Sequence, residues 1–278
     1  EKGISIFKLL KMACINPVKH YNLDVGLLKV GDPADFILVD NLDKLNIKQT
    51  FINGECVNDA GVSQIKAVSF EKPNNFNCAR TSANDFKIAA EGNKIRVIEA
   101  MDGALITNEL IADAKIVNGY YEADLESDLL KIIVVNRYKS AKPAIGFIKN
   151  IGLKKGAIAS SVAHDSHNII AVGTSDEMIS KAVNKIIEQK GGISAVDENE
   201  ALVLGLPIAG IMSDLDAITT GRAYEKIDAK AKQMGSSLHA PYMTISFMAL
   251  LVIPALKLSD FGLFDGNSFQ FTPLSLKN

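Results

Sequence analysis

Two of the four histidines in this 278-residue sequence lie close together, in the segment His164-Asp165-Ser166-His167-Asn168. Histidine is the side chain whose ordinary pKa lies nearest neutrality, so two imidazoles beside a carboxylate indicate proton transfer or metal ligation. The alternative is a turn in which Asp165 and Ser166 bond nearby backbone amides while both histidines face water. The residue types alone favour neither interpretation.

Two apolar runs flank this segment and must position it. Gly156-Ala157-Ile158-Ala159 and Ile169-Ile170-Ala171-Val172-Gly173 have the composition of buried strands. A rigid sheet can hold polar groups over a ligand where two of its strands are joined. The spacing of the two histidines would place both rings on one face of a helix, but the flanking strands predict a turn. Metal sites normally draw ligands from several elements, so we do not expect this segment alone to bind a metal.

Other polar residues have simpler interpretations. His239 lies in a loop that enters the last predicted helix and is interpreted as exposed or locally hydrogen-bonded. Asp214 and Asp216 are typical of a helix N-terminus, with a paired-carboxylate site as the alternative. Asp197 and the two glutamates that follow it predict a solvated turn at a strand end.

Several catalytic signatures are missing from the sequence. It has neither type of glycine-rich phosphate loop, which removes the usual anchors for nucleoside triphosphates and dinucleotides. It also lacks Gly-x-Ser-x-Gly, the nucleophile elbow of many hydrolases. The zinc signature of one class of base deaminases, His-x-Glu followed by Pro-Cys-x-x-Cys, is absent as well.

Composition narrows the partners and the compartment. A net charge of -2, an isoelectric point near 6.1 and the lack of a basic cluster argue against nucleic-acid binding. The most apolar stretch, residues 244–256, contains Ser246 and Pro254 and is too short to cross a bilayer, so no membrane association is expected. The three widely spaced cysteines form no CxxC, which indicates neither a disulfide framework nor a zinc site. We therefore expect the protein to lie in the reducing cytoplasm.

The residues before 60 predict a helix followed by a few strands. A helix over residues 4–13 is expected to stop at Asn16-Pro17, and a strand over 36–40 precedes a hairpin with Asn53-Gly54 at its turn. The composition becomes polar from 61 to 84, which indicates a linker. We therefore predict two domains, residues 1–78 and 79–278.

The second domain is predicted to be α+β with a mainly antiparallel sheet, because its strands come first and its helices come late. Helices are predicted at 176–189, 214–234 and 242–252. Strands are predicted at 86–90, 94–101, 114–121, 130–136, 144–149, 156–163, 169–173, 193–198 and 201–207.

Two stretches resemble known families. Residues 8–21, with Asn16-Pro17-Val18, and residues 25–40, with Gly26-Leu27-Leu28-Lys29-Val30-Gly31-Asp32-Pro33-Ala34-Asp35, resemble the last barrel helix and the returning β-sandwich strands of the amidohydrolase superfamily. The chain from Ala79 onward, with the runs 156–168 and 206–213, resembles the C-terminal domain particular to bacterial adenine deaminases. The implied fold is a remnant of the barrel helix and sandwich strands, followed by the α+β domain.

This resemblance implies hydrolysis of adenine to hypoxanthine and ammonia by a complete enzyme that carries a divalent metal, manganese or iron, in a TIM-type barrel. Members of the superfamily hold the metal on an early His-x-His strand and on later histidines and an aspartate. The sequence has no His-x-His and begins after the position expected for that aspartate. We therefore expect this chain alone to bind no metal, to require a complementing N-terminal barrel segment and to form a homo-oligomer.

Within this resemblance the histidine segment becomes a candidate substrate loop. His164, Asp165 and His167 are its candidate catalytic residues, and Ser166 and Asn168 are candidates for binding purine nitrogens. The same residue types suit a purely structural contact at a domain interface equally well.

Three other functions stay open. The chain could be a regulatory or oligomerisation module, with residues 244–256 and 260–266 as a subunit contact, or a domain that senses purines without activity of its own. A different amidohydrolase, such as a hydantoinase or an imidazolonepropionase, would share only the first 60 residues.

Overall fold

The structure, a computed structural model, describes residues 3–66 and 68–276. The chain divides into two compact units, residues 1–70 and 71–278. The predicted domain boundary after residue 78 stays a prediction, because compactness alone does not define the limits of a domain. No helix in the described ranges is long and apolar enough to span a membrane.

The first unit starts with a helical stretch that runs through the predicted stop. Helix α1 (Ile6–Leu10) continues through a π-helical turn (Lys11–Ile15) into α2 (Asn16–Tyr21). Pro17 lies in the first turn of α2, where its missing N–H would have no helical partner in any case. The prediction that Asn16-Pro17 stops the helix is therefore wrong. The helical stretch ends at Asn22, whose left-handed backbone closes α2.

A four-stranded antiparallel sheet completes the first unit. Its strands follow one another in the order β1 (Phe36–Val39), β2 (Ile47–Ile52), β3 (Glu55–Asp59) and β4 (Val62–Ser63). Asn53 and Gly54 both have positive φ, 51° and 80°, which is the geometry of a two-residue hairpin turn. The predicted hairpin is confirmed.

The second unit is built on an eight-stranded sheet. Its strands are β5 (Lys94–Ala100), β6 (Thr107–Asp113), β9 (Leu129–Val135), β10 (Ala144–Lys149), β11 (Ala157–Ser160), β12 (Ile169–Gly173), β13 (Gly192–Val196) and β14 (Ala201–Gly205), with the hairpin β7 (Lys115–Val117) and β8 (Tyr120–Glu122) inserted after β6. The order is β14-β13-β11-β12-β9-β10-β5-β6, and every neighbouring pair except β10 and β5 is antiparallel. The predicted α+β class with a mainly antiparallel sheet is confirmed.

Helices and a small sheet cover the two faces of this large sheet. Helix α3 (Asp176–Gln189) packs on one face, over β11, β12 and β13. Helices α4 (Ala217–Gln233) and α5 (Pro241–Phe247) belong to the apolar core of the other face. That core also includes side chains of a three-stranded sheet, β15 (Leu256–Ser259), β16 (Gly262–Asp265) and β17 (Gln270–Phe271).

Several predicted elements differ from the structure. The strand predicted at 86–90 is wrong, because residues 83–86 form a 3₁₀ turn capped reciprocally by Ser82 and Asp85. The strand predicted at 114–121 is two strands, since Asn118 and Gly119 turn the chain back between β7 and β8. The helix predicted at 242–252 ends at Phe247. The three-stranded sheet and β6 were not predicted.

The predicted turn is present and its two glutamates, Glu198 and Glu200, are exposed, but Asp197 is buried, contrary to the prediction for this residue. Only 4% of the residue is exposed, and the N–H groups of Asn199 and Glu200 donate to its Oδ1. The ammonium groups of Lys155 and Lys230 lie 3.1 and 3.0 Å from its Oδ2. Burial by itself raises the pKa of this carboxyl, but the nearby ammonium groups of Lys230 and Lys155 and the two backbone N–H groups outweigh burial and hold the pKa well below its ordinary value.

We expect Asp197→Asn to lower the free energy of unfolding at pH 7 by about 2 kcal/mol, because a hydrogen bond to a charged group contributes about that much. The folded-state pKa is depressed, so this stabilisation is present above the unfolded pKa of about 4 and is lost as the pH falls below it. Urea unfolding at pH 7 and pH 3 measures both effects.

The matched control is Glu200→Gln. Glu200 pairs with the same Lys230, at 2.9 Å, but half of its side chain is exposed. Its loss should cost about 1 kcal/mol or less. Equal losses in the two variants, or a loss in Asp197→Asn that does not change with pH, would contradict the burial argument.

Candidate functional site

The histidine segment connects two adjacent strands in the interior of the large sheet. Residues 161–168, called the histidine loop below, join β11 to β12, which pair antiparallel with Ser160 opposite Ile170. The predicted turn between two strands is confirmed. Strand β12 also pairs with β9, with Ile169 opposite Val135, so the connection from β9 to β10 leaves the sheet at the same end.

The histidine loop is anchored at its base by Ser161, which is fully buried. The Ser161 N–H donates to the carbonyl of Gly192, and the Gly192 N–H donates back to the Ser161 hydroxyl oxygen at 2.7 Å. The hydroxyl itself donates to the Gly210 carbonyl at 2.5 Å. These bonds fix the start of the loop against β13 and the segment after β14.

The loop brings both imidazoles side by side. The ring centroids of His164 and His167 are 5.8 Å apart, and both residues are half-buried. The His164 ring stacks on Phe247 at 4.8 Å, and its backbone N–H donates to the Ser246 carbonyl. The backbone N–H of His167 donates to the Ala163 carbonyl at 2.6 Å. The two rings are therefore held by α5 and by the loop itself.

The other predicted site residues divide between the surface and the interior. Asp165 and Ser166 are exposed at the tip of the loop. Asn168 is only 2% exposed. Its side-chain amide oxygen accepts from the backbone N–H of Arg137, and its side-chain amide nitrogen donates to the Ser166 hydroxyl. The structure thus places Asn168 beneath the loop, where it ties the tip to the connection after β9.

The surroundings of His167 favour a neutral imidazole. Burial lowers the pKa of His167 from its ordinary value, and the neighbouring His164 and Arg137 lower it further, whereas Asp165 opposes them. A neutral imidazole offers one nitrogen that can accept a proton. The loop can therefore supply a proton acceptor near neutral pH.

Arg137 and Tyr138 also belong to this site, and our sequence reasoning missed them. The Tyr138 hydroxyl donates to the Ser166 carbonyl at 2.7 Å and accepts from Arg137 Nη2 at 3.0 Å. Both residues follow the apolar strand β9, and polar residues at a strand end were the available signal. Their relevance depended on β9 lying beside β12.

The remaining candidates lie in separate environments. His239 is exposed, and its N–H donates to Asp102 at 2.9 Å. Asp216 accepts from the Thr219 N–H and caps α4, while Asp214 pairs with Lys72. The helix-terminus interpretation is confirmed for Asp216.

The described residues do not fit a catalytic metal centre. Across residues 3–66 and 68–276 no three or more histidine, cysteine, aspartate or glutamate side chains are grouped so that they could hold a metal ion. His164, Asp165 and His167 are neighbours without forming such a group. A metal centre would need ligands from outside the described residues.

Comparison with models of known protein families shows to which family the chain belongs. Residues 1–57 match the sequence model of the amidohydrolase family. Residues 104–270 match that of the adenine deaminase C-terminal domain. The chain belongs to the adenine deaminase family and corresponds to its C-terminal part.

Curated relatives extend this similarity over nearly the whole chain. It is 52% identical over 97% of its length to a protein of Sulfurovum sp. (strain NBC37-1) named adenine deaminase. Proteins with the same name from Methanosarcina barkeri and Borreliella burgdorferi are 49% and 45% identical over 99% and 98% of the chain. The chain spans about half the length of these relatives, 49%, 51% and 50% respectively.

Proposed function

We propose that this chain is the C-terminal part of an enzyme that hydrolyses adenine to hypoxanthine and ammonia. The observation that carries the proposal is the similarity of 97% of the chain to a protein named adenine deaminase at 52% identity. In the reaction, water adds to the ring carbon that bears the amino group, the carbon–nitrogen bond breaks, and a proton reaches the leaving amine. Such a reaction needs groups that accept and donate protons near neutral pH.

The histidine loop supplies residues of that kind. We propose that the neutral imidazole of His167 accepts a proton, and that His164, held against Phe247, orients the substrate beside it. We propose that Asp165, exposed at the tip, takes part in proton transfer, and that the exposed Ser166 binds a purine nitrogen. We propose that Asn168 supports the loop from beneath, because its amide oxygen and its amide nitrogen are both hydrogen-bonded within the protein.

We propose that the divalent metal expected for this family, manganese or iron, is held by the upstream half of the whole protein. The described residues lack a suitable ligand group. The three cysteines are free thiols, which fits a reducing cytoplasm.

The decisive experiment measures ammonia released from adenine by the full-length protein loaded with manganese or iron, with metal analysis of each half. We expect turnover and bound metal in the full-length protein and neither in this chain alone. Lack of turnover by the loaded full-length protein would refute the function. Turnover by this chain alone would refute the proposal that the upstream half holds the catalytic metal.

The exposed apolar side chains of the first unit are evidence that another segment, the N-terminal barrel, packs against it. Of residues 3–66 and 68–70, none is buried, and side chains such as Phe7, Met12 and Leu28 are more than half exposed. Its helices and strands border an apolar cavity of about 740 Å³. Soluble proteins rarely expose so much contiguous apolar surface. We propose that the barrel segment of the whole protein covers it.

We expect this chain alone to bind an apolar fluorescent dye and to self-associate, because its first unit has no covering partner. Joining it to the upstream half should abolish most of the dye binding. Fluorescence titration measures the dye, and light scattering of the full-length protein counts its subunits, for which we propose a homo-oligomer. Equal dye binding by both proteins would contradict the covering role, and a full-length monomer would contradict the oligomer.

A further inference from the structure

A buried cation beside the histidine loop has no carboxylate partner among the residues that the structure describes. Arg137 is 5% exposed, and within the described ranges its Nε and Nη1 are buried and find no acceptor. Its guanidinium lies 4.7 Å from the Tyr138 ring and 5.7 Å from the Phe76 ring. Burying a charge without a counter-ion is costly, so such a group needs an explanation.

The guanidinium of Arg137 occupies space that is free only because residue 210 is a glycine. Gly210 has φ of 71°, and a Cβ at that position would collide with Arg137 Nη1. The backbone of Arg137 is also fixed, because its carbonyl accepts from the N–H groups of Asn77 and Cys78 and its own N–H donates to Asn168. The guanidinium therefore has one defined place next to the loop.

A short chain of hydrogen bonds connects this cation to the histidine loop. Arg137 Nη2 donates to the Tyr138 hydroxyl, and that hydroxyl donates to the carbonyl of Ser166. Accepting a bond from a cation makes a hydroxyl a better donor. The Ser166 carbonyl directly precedes His167, so the bond restrains the peptide that positions this ring.

We propose that Arg137 and Tyr138 are positioning residues of the histidine loop: through the Ser166 carbonyl they hold the peptide that positions the His167 ring. The effect on turnover rests on the proposed function. The effect on the ring does not.

The charge of Arg137 also acts on the pKa of the His167 ring. The titratable and charged groups acting on it are His164 and Asp165 from the loop and Arg137 from the connection after β9. Burial lowers the pKa of His167 most, His164 and Arg137 lower it further, and among these groups only Asp165 raises it. Removing the Arg137 charge should therefore raise that pKa toward its ordinary value.

The test follows the histidine ring by NMR in the full-length protein. The His167 signal is the one lost in His167→Gln, and its titration is compared between wild type, Arg137→Met and Arg137→Lys. We expect Arg137→Met to raise the pKa of His167 and Arg137→Lys to leave it near the wild-type value, because lysine keeps the charge. Lys139→Met is the control, since it removes an exposed lysine charge in the same connection.

Tyr138→Phe tests the hydrogen bond separately. We expect roughly a tenfold lower kcat, equivalent to about one hydrogen bond, a nearly unchanged KM and a displaced His167 ring signal. If Arg137→Met does not fold, Tyr138→Phe and Arg137→Lys still decide the positioning role, because Arg137→Lys alters the bond to Tyr138 while it keeps the charge.

An unchanged ring signal and kcat in Tyr138→Phe would overturn the positioning role, and an unchanged titration in Arg137→Met would overturn the effect of the Arg137 charge. A wild-type protein without adenine turnover would instead refute the proposed function, while the NMR result would still decide the positioning role.

Discussion

Replacing His167 by alanine in the full-length protein is expected to lower the turnover of adenine by about 10²–10⁴-fold, the usual contribution of a general base. The ring is half-buried, burial together with His164 and Arg137 lowers its pKa, and its centroid lies 5.8 Å from that of a second imidazole. Initial rates of ammonia release, with the melting temperature measured in parallel, separate a catalytic loss from a structural one. The melting temperature should change little, because the described part of the chain, residues 3–66 and 68–276, shows no side-chain hydrogen bond of His167 that holds the loop.

The matched control is His239→Ala. His239 is exposed and lies outside the loop, so its removal should leave turnover within about twofold, since surface substitutions seldom perturb a fold. His164→Ala should lower both turnover and stability, because the His164 ring also packs on Phe247. If His167→Ala keeps wild-type turnover, the loop is a structural contact and the site assignment is wrong.

The pH profile adds a second readout for His167. A base must be unprotonated to act, so turnover should fall on the acid side as His167 gains a proton. Because burial, His164 and Arg137 lower its pKa, this fall should lie below the ordinary titration range of histidine. An acid limb at or above that range would point to another base.

The second large effect is expected for Lys131→Met, which should lower the free energy of unfolding by about 3–5 kcal/mol. The side chain of Lys131 is 1% exposed, and its Nζ lies 2.6 Å from Asp176 Oδ1 and 3.2 Å from the Phe86 carbonyl. Burial raises the pKa of Asp176 even with this partner. Removing the lysine leaves a buried carboxyl without its cation, which urea unfolding of the full-length protein measures.

A surface lysine on the same side of the sheet serves as the control. Lys185 pairs with Glu188 on α3 at 3.2 Å, but both side chains are partly exposed, so Lys185→Met should cost about 0.5 kcal/mol or less. Lys131→Met combined with Asp176→Asn should recover part of the loss, because no charge then stays buried. A Lys131→Met effect as small as the control would show that the buried pair is not stabilising.

Local signals allowed several elements to be predicted from the sequence. Helix α3 has the predicted bounds, because Ser175 caps its N-terminus and Lys190, in the left-handed conformation, closes its end. The hairpin at Asn53-Gly54 was equally predictable, since few residue pairs adopt positive φ readily. The strands on either side of the histidine loop followed from two short apolar runs.

Local patterns failed where distant residues decide the environment. The acidic turn at 197–200 was expected to be solvated, and Glu198 and Glu200 are exposed, yet the Asp197 carboxylate is buried beside Lys230 of α4. The run from 114 to 121 looked like one strand, but Asn118 and Gly119 return it on itself. A pattern in neighbouring residues carries no information about which element packs against them.

The sequence by itself determined the family, the α+β class and the turn that carries both histidines, because these depend on motifs and on short runs of residues. Only the tertiary structure decided that β9 lies beside β12, which brings Arg137 and Tyr138 to the loop. Strand neighbours are selected by long-range pairing and by the burial of whole faces. No local spacing encodes that choice.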